Sequence, residues 1–397
     1  YYLTNVDKID YSKSTDRATD SILLRQYKGE AYFIRALAYS NIVSYYCRAY
    51  DAGTAATTRG LPLLTKVDVS AKPRSANLKA TYEFILNDLK MADDLLQADG
   101  PDEDAAVGVL INKTMTKALR ARVLLNMGDY TNALAEAEAL INSGHFALAN
   151  SANALKDMWI NDQGSEFIYV PAGTPDERYE YGTSTNGNNF HAYSTAAGAF
   201  SPDWIPSKAT VEMYSTNDWR MKIYLDPKDV KCQDQKASNV ALFNKFLNNP
   251  NLGKKGDSKY AQYSLPKLFR IAETYLIAAE AAYRLNNVAK AQQYLNALRT
   301  KRGLLATSET GESLAKEIRM EWKREFMGEG MYFHVLKRWG LGFQRDATPQ
   351  TGAANIVYSA NASANIGLTV EPTFHDNWTF DIPTQEKEMN PNVELFD

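Results

Sequence analysis

The chain has 397 residues, 45% of them apolar and 23% charged, enough to bury a large core in one big domain or two ordinary ones. A formal net charge of -3 at pH 7 leaves no sequence-wide positive field and argues against nucleic acid as a partner. Cys47 and Cys232 stand far apart and outside any CxxC spacing, which suggests neither a zinc site nor a disulfide framework and leaves them to pair or stay free.

Helical periodicity comes in pairs along the chain. Residues 27–46 are predicted to form a helix with Ala31, Ile34, Ala38, Ile42 and Tyr45 as its apolar stripe. Its partner follows a long connection: Leu78, Tyr82, Ile85, Leu89, Ala92 and Leu96 recur at steps of four and three, with Ser75 or Asn77 as the cap, so a first pair spans about 27–97. A tighter pair is predicted over 113–142, where Ala118, Ala121 and Leu125 precede Gly128, which stops one helix, and Asp129, which starts the next. The same layout returns 158 residues later, over 268–301: Ala279 and Leu285 precede Asn286-Asn287, and Ala291, Leu295 and Leu298 follow. Small Ala positions beside a short turn let two helices approach closely, as in tetratricopeptide hairpins, although the repeat is not tandem. A last helical stretch, 314–339, carries Leu314, Ile318, Trp322 and Phe326 and breaks at Gly328-Glu329-Gly330. The reading is a mainly α fold of tetratricopeptide-like pairs with long irregular loops and a few short strands.

Two regions lack the helical period. Residues 160–265 and the tail 345–397 are rich in Asn, Gly, Ser, Thr and aromatics and are predicted as loops and short strands. No run of roughly 18 apolar residues is present to cross a bilayer, and any export signal or lipid anchor is expected upstream of residue 1.

Catalytic signals are sparse. His145, His191, His334 and His375 never fall in HExxH spacing, and GxSxG, P-loop and GxGxxG patterns are missing, so no catalytic residue, cofactor or metal is assigned. A glycosidase-type carboxylate pair stays open, because that chemistry needs only two acids at the right separation in space. Asp102, Glu103 and Asp104 read as a solvated loop. Binding is better represented. With 24 Tyr, 15 Phe and 6 Trp, the chain concentrates aromatics and amides between 179 and 204, and loops on a helical scaffold commonly carry function. Tyr179, Tyr181, Asn188, Phe190, His191, Tyr193 and Trp204 are the candidate ligand residues, since rings stack on apolar sugar faces or peptide side chains while polar neighbours supply directional hydrogen bonds. The alternative is that these rings plug the loops onto the scaffold. A second candidate set, Arg48, Tyr50 and Asp51, lies where the first helix ends; Arg48 and Asp51 either orient a ligand or pair with each other.

Segments spread over nearly the whole chain resemble the SusD/RagB family of outer-membrane nutrient-binding lipoproteins. Gly29-Glu30-Ala31-Tyr32-Phe33-Ile34-Arg35-Ala36-Leu37-Ala38-Tyr39 is similar to the family's first long helix, and Gly60-Leu61-Pro62-Leu63 to the segment after it. Arg324-Glu325-Phe326, Gly328-Glu329-Gly330 and Leu336-Lys337-Arg338-Trp339-Gly340 resemble its most recognisable stretch, and Ile382-Pro383, Glu386 and Asn390-Pro391 its closing motif. Where the family often has Arg and Asp, this chain has Tyr332 and Val335, so both members of an ion pair are replaced together. The resemblance implies a cell-surface lipoprotein of the outer membrane, anchored upstream of residue 1, that binds an oligosaccharide or an oligopeptide and delivers it to a SusC-like TonB-dependent transporter. It also implies structural roles for Arg35, Arg324, Glu329, Arg338 and Trp339. A protein-interaction scaffold without a small ligand is the reading from another class.

Overall fold

The computed structural model describes residues 2–96, 110–177, 191, 193–194, 196–232, 234–246, 249–257, 263–344, 348–356, 369–370 and 378–395. The long helices are α1 (Arg17–Tyr46), α2 (Leu78–Leu95), α3 (Lys113–Met127), α4 (Tyr130–Asn142), α5 (Ala152–Asn161), α6 (Ile271–Arg284), α7 (Val288–Thr300), α8 (Gly311–Glu325) and α9 (Met331–Trp339). They pack as pairs α1–α2, α3–α4, α6–α7 and α8–α9, with α2 against α3, α4 against α6 and α6 against α8. Helix α6 is central and accordingly apolar on most sides: Ala272, Ala278, Ala279, Ala281 and Ala282 are fully buried and let neighbouring helices approach.

Local chemistry sets the helix ends. The Asn77 side chain, not Ser75, caps α2 by accepting from Ala80 N; the Ser75 hydroxyl is buried and donates to Val393 O at 2.7 Å. Gly128 ends α3 at φ +75° and the Asp129 carboxylate caps α4 from Asn132 N. In the second copy, Asn286 adopts the same left-handed conformation at φ +59° and Asn287 caps α7 from Lys290 N. The two tight pairs thus keep their offset in geometry as well as in sequence, from Lys113 to Ile271 and from Tyr130 to Val288. The Asp16 carboxylate caps α1 from Thr19 N, which starts that helix ten residues before the expected Tyr27.

One expectation fails on α1. Ile34 and Ile42 are 55% and 44% exposed and Ala38 faces solvent, while Gly29, Phe33, Ala36, Tyr39 and Val43 are buried. The helix is apolar on two sides, and long-range contacts choose between them. Arg35 reaches Asp88 of α2 through two hydrogen bonds of 2.6 and 2.7 Å, and the Tyr39 hydroxyl donates to Pro62 O at 2.8 Å. The Gly60–Leu63 segment is thereby pinned between the helices: a Cβ on Gly60 would stand 2.7 Å from the Asn77 carbonyl oxygen, so only glycine fits.

Between α5 and α6 the chain builds strands: β1 (Phe167–Tyr169), β2 (Tyr193–Ser194), β3 (Ala199–Phe200), β4 (Leu225–Cys232), β5 (Gln235–Phe243) and β6 (Phe269–Arg270). β1 and β6 pair antiparallel, and the other four form one sheet in the order β2-β3-β4-β5, with β3 parallel to β4. The long β4–β5 hairpin exceeds the short strands expected of this region. Its irregular register between Lys228 and Val230 marks a bulge. In the tail, β7 (Phe343–Gln344) pairs with β8 (Thr369–Val370).

A buried ionic cluster ties this region to the helices. Glu325, at the end of α8, accepts from Arg270 Nη1 at 2.8 Å, from Arg302 at 2.9 Å through both Nε and Nη2, and from Arg220 Nη1 at 3.0 Å. Arg302 also reaches Glu166 at 2.9 Å, and Arg220 reaches Asp218 at 2.8 Å. All six side chains are buried, so their lost hydration is offset by mutual pairing rather than by water. Burial alone would raise the Glu325 carboxyl, but Arg302, Arg270 and Arg220 outweigh it and hold it well below its ordinary 4.5.

Candidate functional site

Three of the seven candidate ligand residues on the insert can be placed: Tyr179, Tyr181, Asn188 and Phe190 lie outside the described residues. His191 and Tyr193 meet at the β2–β3 edge, and Trp204 lies on the segment that follows β3. Tyr193 is the cross-strand partner of Phe200, their rings edge to face at 5.3 Å, and His191 sets its ring edge-on to Phe200 at 4.9 Å. His191 Nε2 lies 3.1 Å from Asp226 Oδ2, an oxygen that also pairs with Lys228 at 2.8 Å, and the Lys228 ammonium stands 5.4 Å from the Phe200 ring centre. Burial lowers the His191 pKa, against the hydrogen bond and charge of Asp226. Trp204, on the segment after β3, is 57% exposed and presents its ring to solvent. Half-buried aromatics with a carboxylate, an imidazole and an ammonium in the same cluster, and an exposed ring on the segment that follows, suit a polar ligand that has an apolar face.

The second candidate set divides. The Asp51 carboxylate accepts from Gly53 N at 2.8 Å and shapes a turn, and among the described residues it makes no ion pair with Arg48. Tyr50 packs edge-on against Tyr82 at 5.0 Å. Arg48 and Tyr50 flank a small pocket whose wall includes Ser44, Asn126, His334 and Arg338. Those four residues also line a cavity of about 190 Å³ between α1, α3, α6 and the α8–α9 turn.

Ion pairs wall this cavity. Arg122 makes a bidentate pair with Glu273 at 2.6 and 2.7 Å, Arg338 makes one with Glu280 at 2.7 and 2.8 Å, and Lys267 pairs with buried Asp162. Burial, reinforced by Lys337, Arg338 and Arg122, pushes the His334 pKa down to about 4, which keeps that imidazole neutral at physiological pH. Sequence reading named His334 and Tyr45 without bringing them together, and it passed over Ser40, Asn41 and Ser44. Three polar residues within five positions of an otherwise apolar helix were the available signal.

The motif residues hold helices together. Beyond the pairs of Arg35 and Arg338, Arg324 Nε donates to Met213 O at 2.8 Å, Glu329 accepts from Arg270 Nη2 at 2.7 Å, and Trp339 stacks on Tyr283 at 5.8 Å with Arg284 3.8 Å above its ring. Val335 is buried in the main core, which explains why no charge stands there. In the tail, Trp378 is buried against Phe333 and Phe343, so its ring packs the tail onto the scaffold; Phe374 and His375 lie outside the described residues. Among the described residues no group of three or more His, Cys, Asp and Glu is placed to hold a metal ion, and no helix is long and apolar enough to cross a membrane.

Stacked helix pairs that carry a strand-and-loop insert with an aromatic surface define a class of mainly α binding scaffold. Within that class the chain belongs to the SusD family, whose model matches residues 79–394. Residues 2–125 match a second family model, described as starch-binding and associating with the outer membrane. A SusD-like protein P38 of Formosa agariphila is 24% identical over 309 residues, a match that takes in 70% of this chain and 57% of that protein, so the chain spans under two thirds of the length of this relative. Among solved structures, a SusD superfamily protein from Bacteroides thetaiotaomicron superposes with a TM-score of 0.74 at 24% identity, over 99% of this chain and 82% of the other. A surface glycan-binding protein A from Bacteroides uniformis does so with a TM-score of 0.67 at 18% identity, over 98% and 80%. At these identities the solved structures bear on the fold.

Proposed function

We propose that this protein captures oligosaccharides at the bacterial cell surface, as a lipoprotein of the outer membrane, and hands them to a SusC-like TonB-dependent transporter without hydrolysing them. The observation that carries the reading is the exposed ring of Trp204, on the segment that follows the Tyr193–Phe200 strand pair, in an insert held to a SusD-family scaffold. The description of the family model matched by residues 2–125 and the name of the Bacteroides uniformis neighbour support a glycan over a peptide. In this reading the loop-rich insert, about 160–265, is the ligand-binding part of one SusD-like domain, and Tyr179, Tyr181, Asn188, Phe190, His191, Tyr193 and Trp204 are its candidate ligand contacts. Arg48 and Tyr50 line a small pocket beside the helix cavity.

Calorimetric titration with soluble starch, xylan and mannan oligosaccharides, and with oligopeptides, tests this. One glycan class should bind saturably, and Trp204→Ala should weaken it by about tenfold, the loss of one stacked ring at about 1–1.5 kcal/mol. Saturable binding of peptides alone, or release of shorter sugars by the pure protein, would overturn the reading.

A further inference from the structure

The cavity of about 190 Å³ between α1, α3, α6 and the α8–α9 turn lies on the helical scaffold, and the insert site makes no use of it. Empty cavities in proteins are apolar; a polar cavity of this size holds solvent or a ligand, and at about 30 Å³ per water it has room for about six waters or one sugar ring. Its mouth is defined by Asn41 on α1 and Gly330 in the turn, both exposed and both lining it. A Cβ placed on Gly330 would lie 3.8 Å from the Tyr45 hydroxyl, so that hydroxyl stands beside the opening. The Tyr45 ring is held in place, stacked on Phe380 at 5.4 Å and on Phe333 at 6.1 Å, and its hydroxyl needs no reorganisation to meet a ligand.

Two polar groups that line this space, the Asn41 amide and the Tyr45 hydroxyl, have no side-chain hydrogen-bond partner among the described residues, while the His334 Nδ1, also without a partner, is fully buried and out of a ligand's reach. The cations of the wall are in the opposite situation. Arg122, Lys267, Arg270 and Arg338 are each engaged by a carboxylate, so none is left to attract an anion. Donors and acceptors are unspent and charge is spent, which selects a neutral ligand with several hydroxyls. We propose that this cavity is a second binding site, separate from the aromatic insert, that takes one neutral pyranose-sized sugar or polyol between Asn41 and Tyr45. The assignment rests on the cavity and not on the reading of the insert.

Titration of the full chain with glucose, galactose, mannose and N-acetylglucosamine, with glucuronate as the charged control, tests it. One neutral sugar should bind at one equivalent. Tyr45→Phe and Asn41→Ala should each weaken it about 3- to 10-fold, the net worth of one hydrogen bond. The Tyr45 hydroxyl and the Asn41 amide have no protein hydrogen bond to lose, and phenylalanine keeps the ring stacked on Phe380 and Phe333, so both variants should melt with the parent. Trp204→Ala should leave this monosaccharide affinity unchanged while reducing oligosaccharide affinity, which separates the two sites. The proposal is overturned if no neutral sugar binds, if glucuronate binds tighter than all of them, if Tyr45→Phe and Asn41→Ala leave the affinity unchanged, or if Trp204→Ala abolishes monosaccharide binding.

Discussion

Replacing Glu325 by Gln tests whether the buried ionic cluster holds the insert to the helices. Its two carboxylate oxygens accept four hydrogen bonds, two from Arg302 and one each from Arg220 and Arg270. Glutamine keeps the shape but turns an NH2 group toward guanidinium donors and removes the charge that three buried cations share. Breaking a buried pair from one side costs about 3–5 kcal/mol, because the remaining charges stay buried without compensation. Scaling an unfolding entropy of about 2.1 cal/mol/K per residue to 397 residues turns that into a Tm drop of about 4–6 °C, readable by circular dichroism. The Glu325 carboxyl sits well below its ordinary 4.5 in the folded state, so its contribution is fully present above that value and is lost as the pH falls through the folded-state pKa. The gap between parent and variant should therefore be constant at neutral pH and narrow only below about 4.5. A drop of under about 1 °C at pH 7, against the 3–5 kcal/mol expected for such a pair, would refute the argument.

Two further outcomes are expected. Gly128→Ala forces a side chain into the left-handed conformation at φ +75° and should cost about 1–2 kcal/mol, whereas Asn286→Gly, at the equivalent turn, should be neutral or slightly stabilising; chemical denaturation measures both. Burial pushes the Cys47 thiol up to about 12, and both cysteines are free, so a thiol reagent at pH 8 should titrate the half-buried Cys232 first and reach Cys47 only on unfolding; rapid modification of both would contradict the packing of α1.

The candidate site was legible only in part. Aromatic density singled out the insert, and Tyr193 and His191 meet at one sheet edge, because cross-strand pairing brings Tyr193 onto Phe200. Asp226 and Lys228, which complete that cluster, come from β4, more than thirty residues on from Tyr193, and carry no local mark. Arg48 and Asp51 looked like a pair because they are close in sequence, yet a turn takes the carboxylate of Asp51 to Gly53 N.

What the sequence determined by itself was the helix pairs and their ends. Gly128, Asp129, Asn286 and Asn287 act on backbone groups within four residues, and an apolar period needs only one helix to be read. Tertiary structure decided which side of α1 is buried, since Ile34 and Phe33 are equally apolar and their faces are distinguished by distant partners, Asp88 of α2, the Pro62 carbonyl and the Tyr169 and Phe269 rings. It also decided the meeting of Glu166, Arg220, Arg270, Arg302 and Glu325, and the cavity shared by Asn41, Tyr45 and His334. Such groups are brought together by helix stacking across more than a hundred residues, and no periodicity within a single segment encodes that encounter.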